Sequence, residues 1–187
     1  PIVGSAVQSY NRTYTRPRGI YISYPNRAYI KQILANRTHP DIKLMVITDG
    51  EGVLGIGDQG IGAMDIPVAK LAVYTAFAHF NPLQVLPVML DVGTNNAQLL
   101  NDPLYLGWRH SRIEGADYKA FLDDFISCVK QDFKHVVVHW EDLGRHNAQH
   151  ALDTYRQQVC SFNDDIQGTG IVCLAAILSA LNKTKMK

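Results

Sequence analysis

His135-Val136-Val137-Val138-His139-Trp140 runs into Glu141-Asp142, and Val159-Cys160-Ser161-Phe162 runs into Asn163-Asp164-Asp165. Each is a short, largely apolar run that ends in acids, the pattern of a buried β-strand with polar residues at its carboxyl end. The intervening stretch, residues 147–158, reads as a helix. Parallel strands joined by a helix bring their C-terminal ends side by side, where α/β proteins place their sites. Glu141, Asp142 and Asp165 are thus expected to converge. Two readings of these acids are open. An all-oxygen donor set suits a hard divalent cation such as Mg²⁺ or Mn²⁺. Alternatively, Glu141 and Asp142 open the following helix, where acids favour the dipole.

Outward from this unit the same alternation continues. Residues 20–24 and 43–48 read as strands, with residues 27–35 as a helix between them. A glycine-rich loop spans residues 49–63, followed by a helix over residues 67–79 with Pro67 in its first turn. Residues 86–91 form a near-continuous apolar strand ending in the turn-like Gly93-Thr94-Asn95-Asn96. The helix expected over residues 118–133 carries Phe121, Leu122, Phe125, Cys128, Val129 and Phe133 along one face. Residues 168–181 are apolar nearly all round and predict a buried helix. These elements predict an α/β fold, a parallel sheet with helices on both faces. Residues 1–20 are polar, broken by Pro17 and Gly19, and show little apolar periodicity. They read as the tail of an N-terminal helical region, with residues 21–187 as the α/β catalytic domain.

The 187 residues carry 47% apolar side chains, enough for one substantial core, and a net charge of +1. That balance argues against nucleic acid or a membrane surface as the main partner. No run approaches the roughly 18 apolar residues of a membrane span. Cys128, Cys160 and Cys173 form no CxxC pair. They read as small buried hydrophobes of a reducing cytoplasm.

Gly55-Ile56-Gly57-Asp58-Gln59-Gly60 spells the dinucleotide fingerprint, yet it does not follow a strand tightly. Asp58 would also face a pyrophosphate with the wrong sign, so the glycines are read as allowing close backbone approach. Lys70 sits in the first turns of a helix, where its charge is unhelpful to the dipole. Near a buried acidic cluster it becomes a candidate general base; the residues alone favour a surface lysine with a snorkelling stem. His139 and Trp140 are read as structural, because strand alternation points them apart. Asp91-Val92-Gly93-Thr94-Asn95-Asn96 offers amides to a ligand, or is ordinary turn chemistry.

Taken together these segments resemble the malic enzyme family, including the malolactic enzymes. The matching stretches are Val46-Ile47-Thr48-Asp49-Gly50-Glu51, Leu54-Gly55-Ile56-Gly57-Asp58, Ile66-Pro67-Val68-Ala69-Lys70-Leu71, Leu86 to Asn96, Asp102-Pro103-Leu104-Tyr105 and Phe162 to Thr169. The resemblance implies oxidative decarboxylation of L-malate to pyruvate and CO₂, with reduction of NAD and a requirement for Mn²⁺ or Mg²⁺. It assigns Glu141, Asp142 and Asp165 to the metal, Lys70 to the general base, and Asp164 to the carboxylate that holds that lysine. Asn95 and Arg145 are the candidate substrate anchors. Arg145 is chosen because Gly52 stands where many malic enzymes carry a malate-binding arginine.

The family's general acid, a tyrosine in a Tyr-Thr-Pro segment, would precede Pro1, and its dinucleotide-binding domain would follow Lys187. The resemblance therefore predicts an internal piece of a larger multidomain enzyme, inactive by itself, with no residue here assigned to NAD. It also predicts a cytoplasmic homo-oligomer, dimer or tetramer. The alternatives are a malolactic enzyme, releasing L-lactate with its NAD retained, and a non-catalytic metal-binding fragment.

Overall fold

Five short apolar runs become the strands of one sheet: β1 (Ile20–Ser23), β2 (Leu44–Thr48), β3 (Val85–Asp91), β4 (Val137–Trp140) and β5 (Ser161–Asn163). The structure, a computed structural model, describes residues 2–185, so Pro1, Met186 and Lys187 lie outside the described residues. The strand order is β1-β3-β2-β4-β5 and every pairing is parallel. The helices are α1 (Ile2–Thr13), α2 (Ile30–Ala35), α3 (Asp65–Ala78), α4 (Ala97–Asn101), α5 (Gly115–Asp132), α6 (Arg145–Tyr155) and α7 (Thr169–Thr184).

Alternation along the central strand assigns the helices to faces. Met45 and Ile47 of β2 join the core built with Leu34 of α2, Phe121 and Phe125 of α5, and Tyr155 of α6. Leu44 and Val46 point the other way, onto Leu71 of α3. On that second face Met89 of β3 packs with Tyr10 of α1 and Met64. Both faces are therefore covered, and β2 is buried along its whole length, as a parallel sheet requires. β2 leads through α3 to β3 on one side, whereas β4 leads through α6 to β5 on the other. The chain leaves adjacent strands in opposite directions and onto opposite faces, so the crevice at the carboxyl ends of β2 and β4 is the topological switch point.

Several expectations are corrected. Residues 27–35 are not one helix: a 3₁₀ stretch, Tyr24–Tyr29, precedes α2, and Pro25 near its start suits that tighter turn. The first twenty residues, in contrast, agree with the helical region expected there: they hold a twelve-residue helix, α1, which buries Val7 and Tyr10. The helix after β5 is not buried. Ile171, Val172, Leu174, Ile177 and Leu178 are each more than half exposed, because α7 runs from the edge strand β5 and no other described element covers it. Cys173 on that helix is exposed with it, Cys160 is exposed as well, and Cys128 is only half-buried.

The absence of a membrane-length segment is also corrected. Gly60–Ala78 and Asp164–Thr184 are long and apolar enough, by length and composition, to cross a bilayer. They reach that length because a 3₁₀ turn, Gly60–Met64, runs into α3 and a π-turn, Asp164–Gly168, runs into α7. The first of them packs on the sheet through Leu71.

Candidate active site and metal centre

Four adjacent strands each deliver a carboxylate to the same edge of the sheet: Asp91 ends β3, Asp49 follows β2, Glu141-Asp142 follow β4 and Asp164-Asp165 follow β5. Like charges so placed repel, and two cations divide the row between them. Lys70, from α3, serves the β4–β5 end. Its Nζ lies 2.9 Å from Glu141 Oε1 and 2.8 Å from Asp164 Oδ2. The lysine reaches this point because α3 covers the sheet face opposite α6, and Lys70 immediately precedes the sheet-packed Leu71. Burial alone would lower its pKa, but the Asp164 hydrogen bond and the Glu141 charge hold it above the ordinary lysine value. Asp164 responds in kind: burial would raise its carboxyl, yet Lys70 holds it below the usual carboxylate range.

Glu141 is held from its other side. His139 Nε2 lies 2.6 Å from Glu141 Oε2, and His139 Nδ1 lies 2.9 Å from the Tyr74 hydroxyl. A carboxylate only accepts, so Nε2–H donates to Glu141 and the Tyr74 O–H donates to Nδ1. Alternation does point His139 away from Trp140, whose ring enters the α5–α6 core. It also places residues 139 and 141 on the same side, where the histidine orients the glutamate.

Asp142 adopts a left-handed backbone, φ 52°, uncommon for a residue with a side chain. Its N–H donates to Asp165 Oδ2 at 2.8 Å, and its carbonyl accepts the Gly52 N–H at 2.8 Å. A Cβ added at Gly52 would stand 2.7 Å from the Leu143 carbonyl oxygen, so the loop after β2 lies directly against the segment after β4. At Gly144 a Cβ would collide with the Glu51 carboxylate. That carboxylate can swing aside, whereas the backbone facing residue 52 cannot, so glycine at 52 is what lets the two loops approach.

Among the described residues two sets of donor atoms have ligand spacing, Glu141–Asp142–Asp165 and His139–Glu141–Asp164, each within 4.8 Å. In the second set the Lys70 ammonium already bridges Glu141 and Asp164. The first set fits a hard divalent cation better: all its donors are oxygens, and its negative charge is in surplus. That surplus is visible in Asp142, whose carboxyl is pushed up to about 7 by burial and then by the neighbouring Glu141 and Asp165 charges. Asp165 is raised as well, by burial and Glu141.

A pH dependence follows. The Asp142 carboxyl is raised above its unfolded value, so its protonated form contributes stability below about pH 4 that is lost as pH climbs through about 7. Without metal, the melting temperature is expected to fall between about pH 4 and pH 7, more steeply in wild type than in Asp142→Asn. Mn²⁺ competes with that proton, so the stabilisation from added Mn²⁺ is expected to grow over the same interval. Thermal melts across this range, with and without Mn²⁺, measure both slopes; a metal increment independent of pH argues against Asp142 as a ligand.

Residues 1–156 match the family described as "Malic enzyme, N-terminal domain". This chain belongs to the malic enzyme family. It is 52% identical over 180 residues to the NAD-dependent malic enzymes of Erwinia tasmaniensis and Pectobacterium atrosepticum, with 96% of this chain and 32% of each relative covered. The same figures hold for the NAD-dependent malic enzyme of Proteus mirabilis. The chain thus spans about a third of the length of the curated relatives it matches. The crystal structure of Entamoeba histolytica malic enzyme is similar with a TM-score of 0.56 at 21% identity, over 95% of this chain and 32% of that one. That likeness speaks for the fold alone.

Within this malic enzyme domain the structure brings together Lys70, Glu141, Asp142, Asp164 and Asp165. The other two candidates are engaged differently. Arg145 opens α6, is exposed, and makes no ion pair among the described residues, with Glu141 or any other acid. Asn95 builds its own loop: its N–H donates to Asp58 Oδ2 at 2.8 Å and its Oδ1 accepts the Arg112 N–H at 3.0 Å. The glycine-rich 55–60 segment is closed by internal bonds, with Asp58 accepting the Gly60 N–H at 2.9 Å and Val53 bridging Gly57. It forms no strand-to-helix phosphate turn.

Sequence reasoning missed His139 as the group that orients Glu141, and missed Arg112 altogether. The signal for His139 was its i,i+2 spacing from Glu141 at a strand end. The signal for Arg112 was the pair Asp49 and Asp91, which close apolar strands and are buried with them; buried acids call for a cation.

Proposed function

We propose that this chain supplies the metal- and malate-handling part of an NAD-dependent malic enzyme, which converts L-malate to pyruvate and CO₂. The observation that carries this reading is Lys70, shared between Glu141 and Asp164 beside the Glu141–Asp142–Asp165 carboxylates. The names of the 52% identical relatives support NAD as the oxidant.

Glu141, Asp142 and Asp165 would hold Mn²⁺ or Mg²⁺. When bound, the cation supplies Lewis acidity to the C2 oxygen, so electrons from the breaking C3–carboxylate bond have an acceptor. Lys70 takes the proton of the C2 hydroxyl, as its neutral amine, while hydride leaves for the nicotinamide; the Glu141 charge that helps hold it protonated in the free site is one the cation would share. Asp164 keeps the lysine side chain aimed and receives its charge once protonated. His139 and Tyr74 fix the rotamer of Glu141, so one carboxylate oxygen faces Lys70 and the other stays on the imidazole. Trp140, Leu143 and Ala148 pack in the core with α5 and α6.

Gly52 leaves the malate carboxylate without the arginine many family members place there. We assign the anchoring of malate to Arg145 and Asn95, on the ground that Arg145 makes no ion pair among the described residues and Asn95 has side-chain amide hydrogens to offer. The test uses the full-length protein with L-malate, NAD and Mn²⁺, and quantifies NADH, pyruvate and lactate together. Equal NADH and pyruvate, both abolished by chelation, support the reading. Lactate without NADH replaces it with a malolactic reaction, and no product in the presence of bound Mn²⁺ leaves a metal-binding domain without this chemistry. An unchanged KM for malate in Arg145→Ala removes Arg145 from the substrate.

A further inference from the structure

The β3–β2 half of the carboxylate row is not used by the reaction above, yet it is the more deeply buried half. Arg112, in the loop between α4 and α5, has a side chain only 3% exposed. Its Nε and Nη2 form a fork on the Asp58 carboxylate at 2.8 and 2.9 Å, and Nη2 also donates to the Asp49 carbonyl at 2.8 Å. Nη1 stands 3.6 Å from Asp49 Oδ1, and the Tyr118 hydroxyl donates to Asp49 Oδ2 at 2.6 Å. One guanidinium therefore pins residues 49 and 58, the two ends of the loop that follows β2.

Between those pins lie Gly50, with φ 71°, and Gly52. The Glu51 N–H donates to Asp49 Oδ1 at 3.0 Å, and the Gln59 N–H donates to the Gly50 carbonyl at 2.9 Å. These bonds close the loop on itself. Its backbone hydrogen bond across to the segment after β4 is the Gly52 N–H on the Asp142 carbonyl. Asp142 holds a conformation that residues with side chains seldom adopt unless their surroundings impose it.

We propose that Arg112 is a positioning residue for the metal centre. Through its fork on Asp58 and its bonds to Asp49 it holds the loop so that the Gly52 N–H keeps Asp142 left-handed and its carboxylate beside Glu141 and Asp165. This rests on reading Glu141, Asp142 and Asp165 as metal ligands. Arginine is required for the fork, because a lysine ammonium cannot engage Asp58 through two parallel N–H groups and Asp49 at once.

The test is Mn²⁺ binding by the full-length protein, followed by electron paramagnetic resonance without malate or NAD, in Arg112→Lys, Asp58→Asn and Asp165→Asn. Folding is checked by circular dichroism, and the Gly52 amide by hydrogen exchange. Arg112→Lys is expected to weaken Mn²⁺ about 10–100-fold, the range for groups that orient metal ligands, and to speed exchange at Gly52. Saturating Mn²⁺ is expected to restore kcat to within about threefold of wild type, since Lys70 is untouched; this separates positioning from general destabilisation. If Arg112→Lys does not fold, Asp58→Asn decides, because it removes the fork's charge while Arg112 keeps Asp49. Wild-type Mn²⁺ affinity in the folded variant, alongside a loss in Asp165→Asn, overturns the positioning role and leaves the metal centre standing. Wild-type affinity in Asp165→Asn sinks the metal centre, and the role of Arg112 with it.

Discussion

Replacing Lys70 by alanine in the full-length protein is expected to lower kcat by about 10²–10⁴-fold, the span typical of a lost general base. Mn²⁺ affinity should hold or tighten in the same variant. Lys70 neutralises Glu141 at 2.9 Å and Asp164 at 2.8 Å, so its removal leaves the carboxylates more negative. Loss of a structural ammonium and loss of a base are told apart by Lys70→Arg. Arginine restores the positive charge between the two acids but does not give up a proton in the working pH range. Recovery of turnover by arginine would reduce Lys70 to a counter-ion. Continued inactivity with intact Mn²⁺ binding supports the base. The pH–rate profile adds an independent reading: Asp164→Asn removes the carboxylate charge behind the leading hydrogen bond that raises Lys70, so the acidic limb of kcat, where the base must lose its proton, is expected to move to lower pH.

Asp165→Asn is expected to weaken Mn²⁺ by more than about 100-fold, beyond the 10–100-fold typical of groups that merely orient a ligand. The apo-protein should be no less stable, and this opposition of signs is the informative part. Asp165 Oδ2 accepts the Asp142 N–H at 2.8 Å, a bond the asparagine oxygen can keep. What disappears is a charge that raises the Asp142 carboxyl together with burial and Glu141. Titration of Asp142 is therefore expected to shift down from about 7 in this variant, and the fall in melting temperature towards about pH 7 to flatten. Mn²⁺ titration and thermal melts of the same sample measure both. Undiminished Mn²⁺ binding would reassign Asp165 to the surface and direct attention to the His139–Glu141–Asp164 set.

The strand-by-strand pattern was legible because each strand of a doubly covered sheet must be apolar on both faces, which leaves runs such as Leu86-Pro87-Val88-Met89-Leu90 without alternation. The helix over α5 was legible for the complementary reason: Phe121, Leu122, Phe125 and Val129 repeat with the helical period, and all are buried. The same logic misjudged α7. Apolar residues all round a helix state that it has no intrinsically polar face; they do not state what covers it. Among the described residues nothing does, and Ile171 and Val172 are about two-thirds exposed.

Lys70 shows where local reading stops. Its neighbours in the chain favour a surface position, and only the family resemblance directs it to the acids. Its partner Asp164 is 94 residues away in the chain, and no local period encodes a contact at that distance. Arg112 and Asp58, 54 residues apart, escaped for the same reason.

The order of amino acids alone thus dictates most of the strands and helices, the acids at the strand ends, and the family to which they belong. Each follows from local chemistry: apolar periodicity, glycine and proline punctuation, and short motifs whose residues are neighbours in the chain. Which acids meet which cation is settled only in the folded molecule. That outcome depends on strand order, on α3 and α6 departing to opposite faces at the β2–β4 switch point, and on a glycine at 52 that lets two loops touch. Charge pairing is a property of positions in space, and positions at this edge are set by crossovers that span tens of residues.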